Sequence, residues 1–295
     1  MSPSSTEPRA GLFVGRDGVA CVLLGGGAEN VITLTRTALL DTHIYRGMAR
    51  PEAQAALDGA VGAVTAELRG RHLAVHVVVP DAAASAATFE LDQVPKDGAA
   101  LGKLVEHRLA RELGAPPGAC VSQLLGQGEG KYLVLGASMD RGWLAAVKQS
   151  LAVAGVVPWS LCTASTAVFN SLDEATRATS GALITLTTDA WALWAWDASG
   201  HVRPLRSQWR GSDDEREIAA EVERSLIAYV DAHPSRSIGK LHVWSLGGGD
   251  ALAAMLDQRT QLPCERQRWP QSLTGLDACA DSPALAVSVM AALTP

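Results

Sequence analysis

Three short apolar runs separated by glycine-rich turns open the chain: GLFV (11–14), VACVLL (19–24) and VITLT (31–35), joined at Arg16-Asp17-Gly18 and at GGGAEN. They predict an antiparallel β-meander. The Asp17-Gly18 pair predicts a type I′ turn, with positive φ at both central residues. Over 52–68 the period changes from strand-like to helical, and Ala53, Ala56, Leu57, Ala60, Val61, Val64 and Leu68 fall on one stripe. That is a helix whose small residues suit close packing on a sheet. LAVHVVVP (73–80) is an apolar strand buried on both faces and stopped by Pro80. A second helix spans 97–113, with Leu101, Leu104, Val105, Leu109 and Leu113 inward and Gly114 at its stop. VSQLL (121–125) and KYLVLGAS (131–138) flank Gly126-Gln-Gly128-Glu-Gly130 as a hairpin, and the helix RGWLAAVKQSLAVAG ends at Gly155.

At 182 the opening pattern returns. ALITLT, AWALWAW and HVRPLRSQW read as a second meander, joined at TTD and DASG. A helix follows with Ile218, Val222, Leu226, Tyr229 and Val230 inward, then a strand LHVWSL (241–246), then GGGD leading into ALAAMLDQ. Each half therefore opens on a three-stranded meander followed by helical material. That self-similarity predicts a duplicated α/β fold with two lobes.

Composition narrows the class. The 295 residues are 47% hydrophobic and 19% charged, a balance that supports a folded chain with a sizeable core. A formal net charge of −6 argues against a nucleic-acid surface, which shows as a basic stripe. The five cysteines form no CxxC pair, and Cys21, Cys120 and Cys162 sit beside apolar residues as buried free thiols do. The N-terminal MSPSSTEPRA lacks the apolar core of a signal peptide, and no stretch reaches the ~18 apolar residues of a membrane span. A cytoplasmic protein, recruited to any membrane by a partner, is the expectation.

Gly126-x-Gly128-x-Gly130-Lys131 lacks the spacing and the strand–loop–helix setting of a phosphate loop. His72 and His76, in or next to a strand, lie ~13 Å apart along it and make no metal pair. Period-2 alternation puts Trp194 and Trp196 on one strand face and Trp191 on the other. Gly247-Gly248-Gly249-Asp250, between a strand and a helix, reads equally as a tight turn or as a place where backbone approaches an anionic ligand.

Taken in order, these pieces resemble the actin-like ATPase superfamily, and more closely the PilM family of type IV pilus assembly. The cytoplasmic part of GspL and the division protein FtsA are more distant relatives. GLFVGRDGVACVLL is similar to the family's first phosphate hairpin and ALITLTTDAWALWAW to its second. HVVVPDAAASAATFELDQVP resembles the stretch that opens its small inserted subdomain, and AGVVPWSLCTASTAVFNSL its return to the first lobe. LRSQWRG with EIAAEVERSLIAYV, and LHVWSLGGGDALAAML, resemble its Arg-x-x-x-Gly turn with following helix and its adenosine-side glycine loop. The resemblance implies a duplicated actin-like (ribonuclease H-like) fold of α/β class. Residues 1–10 would be a disordered tail, 11–72 plus 159–180 the first lobe, 73–158 the inserted small subdomain and 181–295 the second lobe.

The departures from the family pattern carry the functional expectation. Phe13 stands where the first hairpin's Asp is expected and Ala20 where a Lys is common. Thr185 stands where the second hairpin's Asp is expected, with Thr187 in place of its Gly. Mg²⁺ on a triphosphate takes carboxylate oxygen, often through water, and hydrolysis needs a group to orient the attacking water. Phe13 does neither. The resemblance leaves Gly15, Asp17, Gly18, Thr187, Thr188, Asp189, Gly247, Gly248 and Gly249 as a degenerate cofactor site, with no catalytic or metal-ligating residue. Asp17 and Asp189 occupy the hairpin tips, where a negative charge repels phosphate and turn formation accounts for both.

The implied function is a scaffold that docks the cytoplasmic tail of an inner-membrane partner (PilN-like) in a groove beside the inserted subdomain, without ATP hydrolysis. A pilus or secretion ATPase and a second copy of the chain are further candidate partners; nucleic acid is not. No cofactor is assigned, and ATP stays open only as a ligand of the glycine loop. The alternatives are an active actin-like ATPase or kinase, and a soluble GspL-like subunit of a type II secretion machine.

Overall fold

The computed structural model describes residues 7–26, 30–40, 51–71, 73–114, 118–128, 130–199, 201–211, 215–234, 236–245, 249–267, 273–275, 279 and 282–293. The first meander forms as read: β1 (Arg9–Val14), β2 (Gly18–Leu24) and β3 (Asn30–Leu39) pair antiparallel in sequence order. β1 begins within the segment read as a tail, because Arg9 and Ala10 already pair with Leu24 and Leu23 and are buried. On its other edge β1 pairs parallel with β4 (Ala74–Val79), and β4 with β8 (Pro158–Thr163). With β14 (Leu273–Thr274) beside β3, the first sheet has six strands in the order β14-β3-β2-β1-β4-β8.

One face of this sheet is covered by α1 (Pro51–Val64), a 3-10 turn at Ala66–Leu68, and α3 (Arg141–Val153). Alanines on α1 allow the close approach the sequence pattern implied, with Ala53, Leu57, Ala60, Val61 and Val64 buried. The opposite face carries α4 (Ala164–Ser171) and α8 (Pro283–Leu293). A Cβ at Gly11 would lie 1.7 Å from the Ser288 carbonyl oxygen, so only glycine in β1 lets α8 sit this close. The Ser288 hydroxyl accepts from the Phe13 amide at 3.2 Å and donates to the Ala20 carbonyl at 3.0 Å. β14 and α8, grouped with the second lobe by sequence, are thus built onto the first sheet.

β5 (Ala84–Leu91), β6 (Gly118–Gly128) and β7 (Lys131–Asp140) form a separate antiparallel sheet in the order β5-β7-β6. α2 (Gly98–Leu113) packs on it through Val105 and Leu109. Asp97 caps α2 by accepting from the Ala99 and Ala100 amides, and Gly114 ends it in the left-handed region. This inserted unit spans 84–140; β4 and α3, also placed in it by sequence, lie in the first lobe's sheet and helix layer.

A short α5 (Glu174–Arg177) leads to the second meander, β9 (Gly181–Leu186), β10 (Ala190–Trp196) and β11 (Val202–Trp209). β12 (Leu241–Ser245) and β13 (Cys264–Arg266) add in parallel, giving the order β11-β10-β9-β12-β13. α6 (Glu215–Ala232) and α7 (Gly249–Thr260) cover one face, burying Ile184, Trp191, Leu193 and Val222. The other face meets the first lobe: Leu183, Ala192, Trp194 and Trp196 share one apolar core with Phe13, Ala20, Val22 and Val78 and with α4 and α8. The tryptophans alternate as their spacing requires.

Local expectations fail where solvent access depends on tertiary docking. Val230 and Leu113, read as inward, are 41% and 50% exposed at their helices' outer edges. Cys21 is buried as expected, whereas Cys120 and Cys162 are only half-buried and Cys279 is buried instead. The first hairpin turns on Arg16-Asp17, closed by the Gly15 amide on the Gly18 carbonyl at 2.8 Å, and none of its residues has positive φ. The type I′ turn expected at Asp17-Gly18 does not form: Gly18 is recruited into β2 opposite Leu39, and the turn centres one residue earlier without positive φ.

Candidate functional site

The two hairpins that begin the lobes meet tip to tip. β9 and β10 are joined by a tight turn with Thr188 and Asp189 at its centre, closed by the Thr187 amide on the Ala190 carbonyl at 2.9 Å. Asp189 points inward, 1% exposed. Its Oδ1 accepts from the Thr187 hydroxyl at 2.9 Å, a bond internal to the turn. Its Oδ2 accepts from the backbone amide of Arg16 at 2.6 Å, in the other lobe. A Cβ at Gly15 would lie 2.6 Å from Phe13 Cε1 and 2.9 Å from this same Oδ2, so the contact requires glycine at 15.

Further bonds fasten the tips. The Arg210 amide donates to the Asp189 carbonyl at 2.8 Å, and Arg210 Nη1 donates to the Thr187 carbonyl at 3.1 Å. Arg16 Nη1 donates to the Arg210 carbonyl at 3.5 Å. The Arg16 guanidinium pairs with Asp17 at 3.0 Å and lies 5.9 Å from the centre of the Trp209 ring. Burial raises the Asp189 carboxyl above the usual Asp value and the neighbouring Asp17 charge adds to it; the Arg16 amide and Thr187 hydroxyl oppose the rise. Asp17 is half-exposed, paired with its own neighbour.

Beneath the tips lie the two positions where the resemblance expects carboxylates. Phe13 is 1% exposed in the apolar core that joins the lobes. Thr185, also 1% exposed, shares a strand face with Leu183 of that core, and its hydroxyl has no hydrogen-bond partner among the described residues. A hydrated divalent ion takes hard oxygen ligands. An aromatic ring packed among Val78 and Ala20 supplies none, and the Arg16 amide at the first tip is bonded to Asp189. The residues present do not fit a metal–triphosphate.

The glycine loop is separate from the tips. Gly247 and Gly248 lie outside the described residues, as does His72. Gly249 is buried at the start of α7, and the adjoining Asp250 pairs with Arg266 at 3.1 Å. A recess of about 460 Å³ beside it is lined by Trp244, Ser245, Asp250, Arg266 and Gln267. No residue of either hairpin tip lines it. The structure thus brings Gly15, Asp17 and Gly18 together with Thr187, Thr188 and Asp189, and leaves Gly249 apart from them.

A second recess, of about 430 Å³, lies where the three parts converge. Asp81 and Thr163 come from the first lobe, Ser85 and Ala86 from β5, and Trp194 and Ser207 from the second. Asp81 accepts from the Ser165 amide at 2.9 Å at the start of α4, and burial lifts its carboxyl to about 6. Nearby, the nearly buried Arg203 pairs with Glu90 at 2.6 Å, and the Thr88 hydroxyl donates to the Val202 carbonyl at 2.8 Å. These bonds tie β5 to β11. Sequence reasoning placed Arg16 in the first turn but missed Arg210 and Trp209 as tip contacts. The only available signal was the second meander's Arg210-Gly211, read as a turn.

No family model matches the chain, and no curated protein matches its sequence. Solved structures do. The chain has the actin-like ATPase fold, two lobes each built on a meander, with a small inserted sheet. It is similar to the structure of a PilM-PilN type IV pilus biogenesis complex (TM-score 0.70, 17% identity, 97% of each chain covered). It is also similar to a Bacteroides thetaiotaomicron protein with actin-like ATPase fold and unknown function (0.55, 11% identity, 94% of this chain and 95% of that one). A third match is the cytoplasmic domain of EpsL, an inner membrane component of the Vibrio cholerae type II secretion system (0.51, 12%, 98% and 95%). Among the described residues no helix is long and apolar enough to cross a membrane.

Proposed function

We propose that this chain is a nucleotide-independent adaptor of a type IV pilus assembly platform, cytoplasmic and held at the inner membrane by docking the tail of a PilN-like partner. The likeness to the PilM-PilN structure over 97% of both chains carries the reading. The site chemistry supports its non-catalytic half. Phe13 and Thr185 offer no carboxylate to a metal, and an inter-lobe core running through Phe13, Trp194 and Trp196 favours one fixed arrangement of the lobes over opening and closing around a nucleotide. The recess lined by Asp81, Ser85, Ala86 and Trp194 lies beside the inserted sheet, and we assign it as the docking groove.

The test is calorimetry with synthetic N-terminal tails of the membrane-anchored proteins encoded beside this chain. A micromolar Kd, about −8 kcal/mol, is expected for one pilus tail, and Ala86→Arg should weaken it at least tenfold. No heat from any tail, or binding indifferent to Ala86→Arg, rejects the docking assignment. The likeness to the EpsL domain favours a second reading, a secretion-machine subunit. Tails from both machines in one titration series separate the two.

A further inference from the structure

Asp189 carries more than a turn requires. Its Oδ1 bond to Thr187 satisfies the turn, and Asn would make it equally well. The second oxygen leaves the turn and reaches, across 173 residues, the Arg16 amide at the tip of the other hairpin. A carboxylate at 1% exposure is costly to bury unless donors converge on it. Here two do: a backbone N–H on one oxygen and a hydroxyl on the other. Gly15 keeps the space above Phe13 clear for that oxygen. To an N–H donor, a carboxylate oxygen and a phosphate oxygen are equivalent acceptors.

We propose that the Asp189 carboxylate is the resident ligand of a small-oxyanion seat formed by the Arg16 amide and the Thr187 hydroxyl. While Asp189 fills it the seat refuses phosphate, and once that side chain is removed it accepts phosphate-class oxyanions. The inference rests on the nucleotide-independent reading above and gives it a cause. If the lost acids at Phe13 and Thr185 were the whole explanation, removing Asp189 would change nothing. If the seat is filled from within, removing one carboxylate uncovers an anion site even though no metal-binding acid has been restored.

The experiment uses the full chain and inorganic phosphate, with sodium chloride at matched ionic strength as control, read by thermal shift and calorimetry. Wild type and Asp189→Asn, which still presents an acceptor to Arg16, should show no phosphate-specific shift. Asp189→Gly and Asp189→Ala should show saturable phosphate binding at least tenfold tighter than wild type, and melting raised by roughly 2–4 °C at ten times Kd. Adding Thr187→Val to Asp189→Ala should weaken that binding. An equal response from wild type and Asp189→Ala, or no response from either, overturns the proposal. Should neither small variant fold in chloride, phosphate or formate present during refolding must restore the native signal, and failure to do so also overturns it. Tail titration reads the recess rather than the tips, so either result leaves the adaptor reading to its own test.

Discussion

The backbone amide of Arg16 and the carboxylate of Asp189, separated by 173 residues, lie 2.6 Å apart and join the hairpin tips with which the two lobes begin. A bond of this length to an ionised acceptor is of the strong, charge-assisted kind. It also fixes the spacing between lobes at the point where a lobed protein would otherwise gape.

Gly15→Ala tests that spacing. The new methyl would meet both the Phe13 ring and the Asp189 oxygen, each on a side chain only 1% exposed. A loss of about 1–3 kcal/mol is expected from overpacking, read as a lower urea midpoint at unchanged slope. An unchanged midpoint would mean the tips part freely.

Phe13→Asp with Thr185→Asp puts back the acids of an active hairpin pair. Phe13 is nearly sealed among aliphatic side chains, so the exchange removes a ring and buries a charge together. The expected result is a loss above ~3 kcal/mol and no phosphate release from ATP. A stable double variant that turns over ATP would contradict the description of this region as core.

Much of this architecture is legible in the chain because it follows from local period. Both meanders, the α1 stripe, the Asp97 and Gly114 signals of α2 and the Trp194/Trp196 face each depend on residues within a few positions of one another. α8 leaves no such trace. PALAVSVMAAL shows no polar stripe because the helix is enclosed by the first sheet, α4 and the apolar core that joins the lobes, so it has no polar face to set a phase. The tip contact is illegible for a different reason. Asp189 reads as a turn former, and the direction of its second oxygen is decided only when the lobes dock.

Ser288→Ala removes a hydroxyl that serves the Phe13 amide and the Ala20 carbonyl, both in the core of the first sheet. Phe13 and Ala20 also face each other in the β1–β2 ladder, so losing this additional partner should cost about 0.5–1.5 kcal/mol. Hydrogen exchange at the Phe13 amide should accelerate more than at Leu12. Protection unchanged at Phe13 would show that the hydroxyl is incidental.

Asp81 gives the stability an acid-side component of known sign. Its carboxyl, raised by burial from 3.8 to about 6, binds its proton more tightly folded than unfolded. Ionised Asp81 therefore costs stability above pH 6, and the cost is relieved as pH falls from 7 towards 4. Wild type should gain relative to Asp81→Asn over that window, by an amount of order 3 kcal/mol at most. The comparison isolates Asp81 from groups such as Glu90, whose lowered pKa, caused chiefly by its bond to Arg203, works in the opposite direction. Parallel stability curves for the two proteins between pH 4 and 7 would refute the assignment.

The position of α8 sets a schedule for biosynthesis. Phe13 and Ser288 are 275 residues apart, yet the strand holding one is packed directly on the helix holding the other. At roughly 5–20 residues per second, β1 and β2 wait on the order of 15–50 s for that helix to be translated. During that wait the face later covered by α8 is uncovered, so the N-terminal lobe cannot be the first to reach its final form. The inserted sheet, whose three strands and covering helix α2 all lie within 84–140, can close on itself long before, and the growing chain would carry a finished insert on an unfinished lobe.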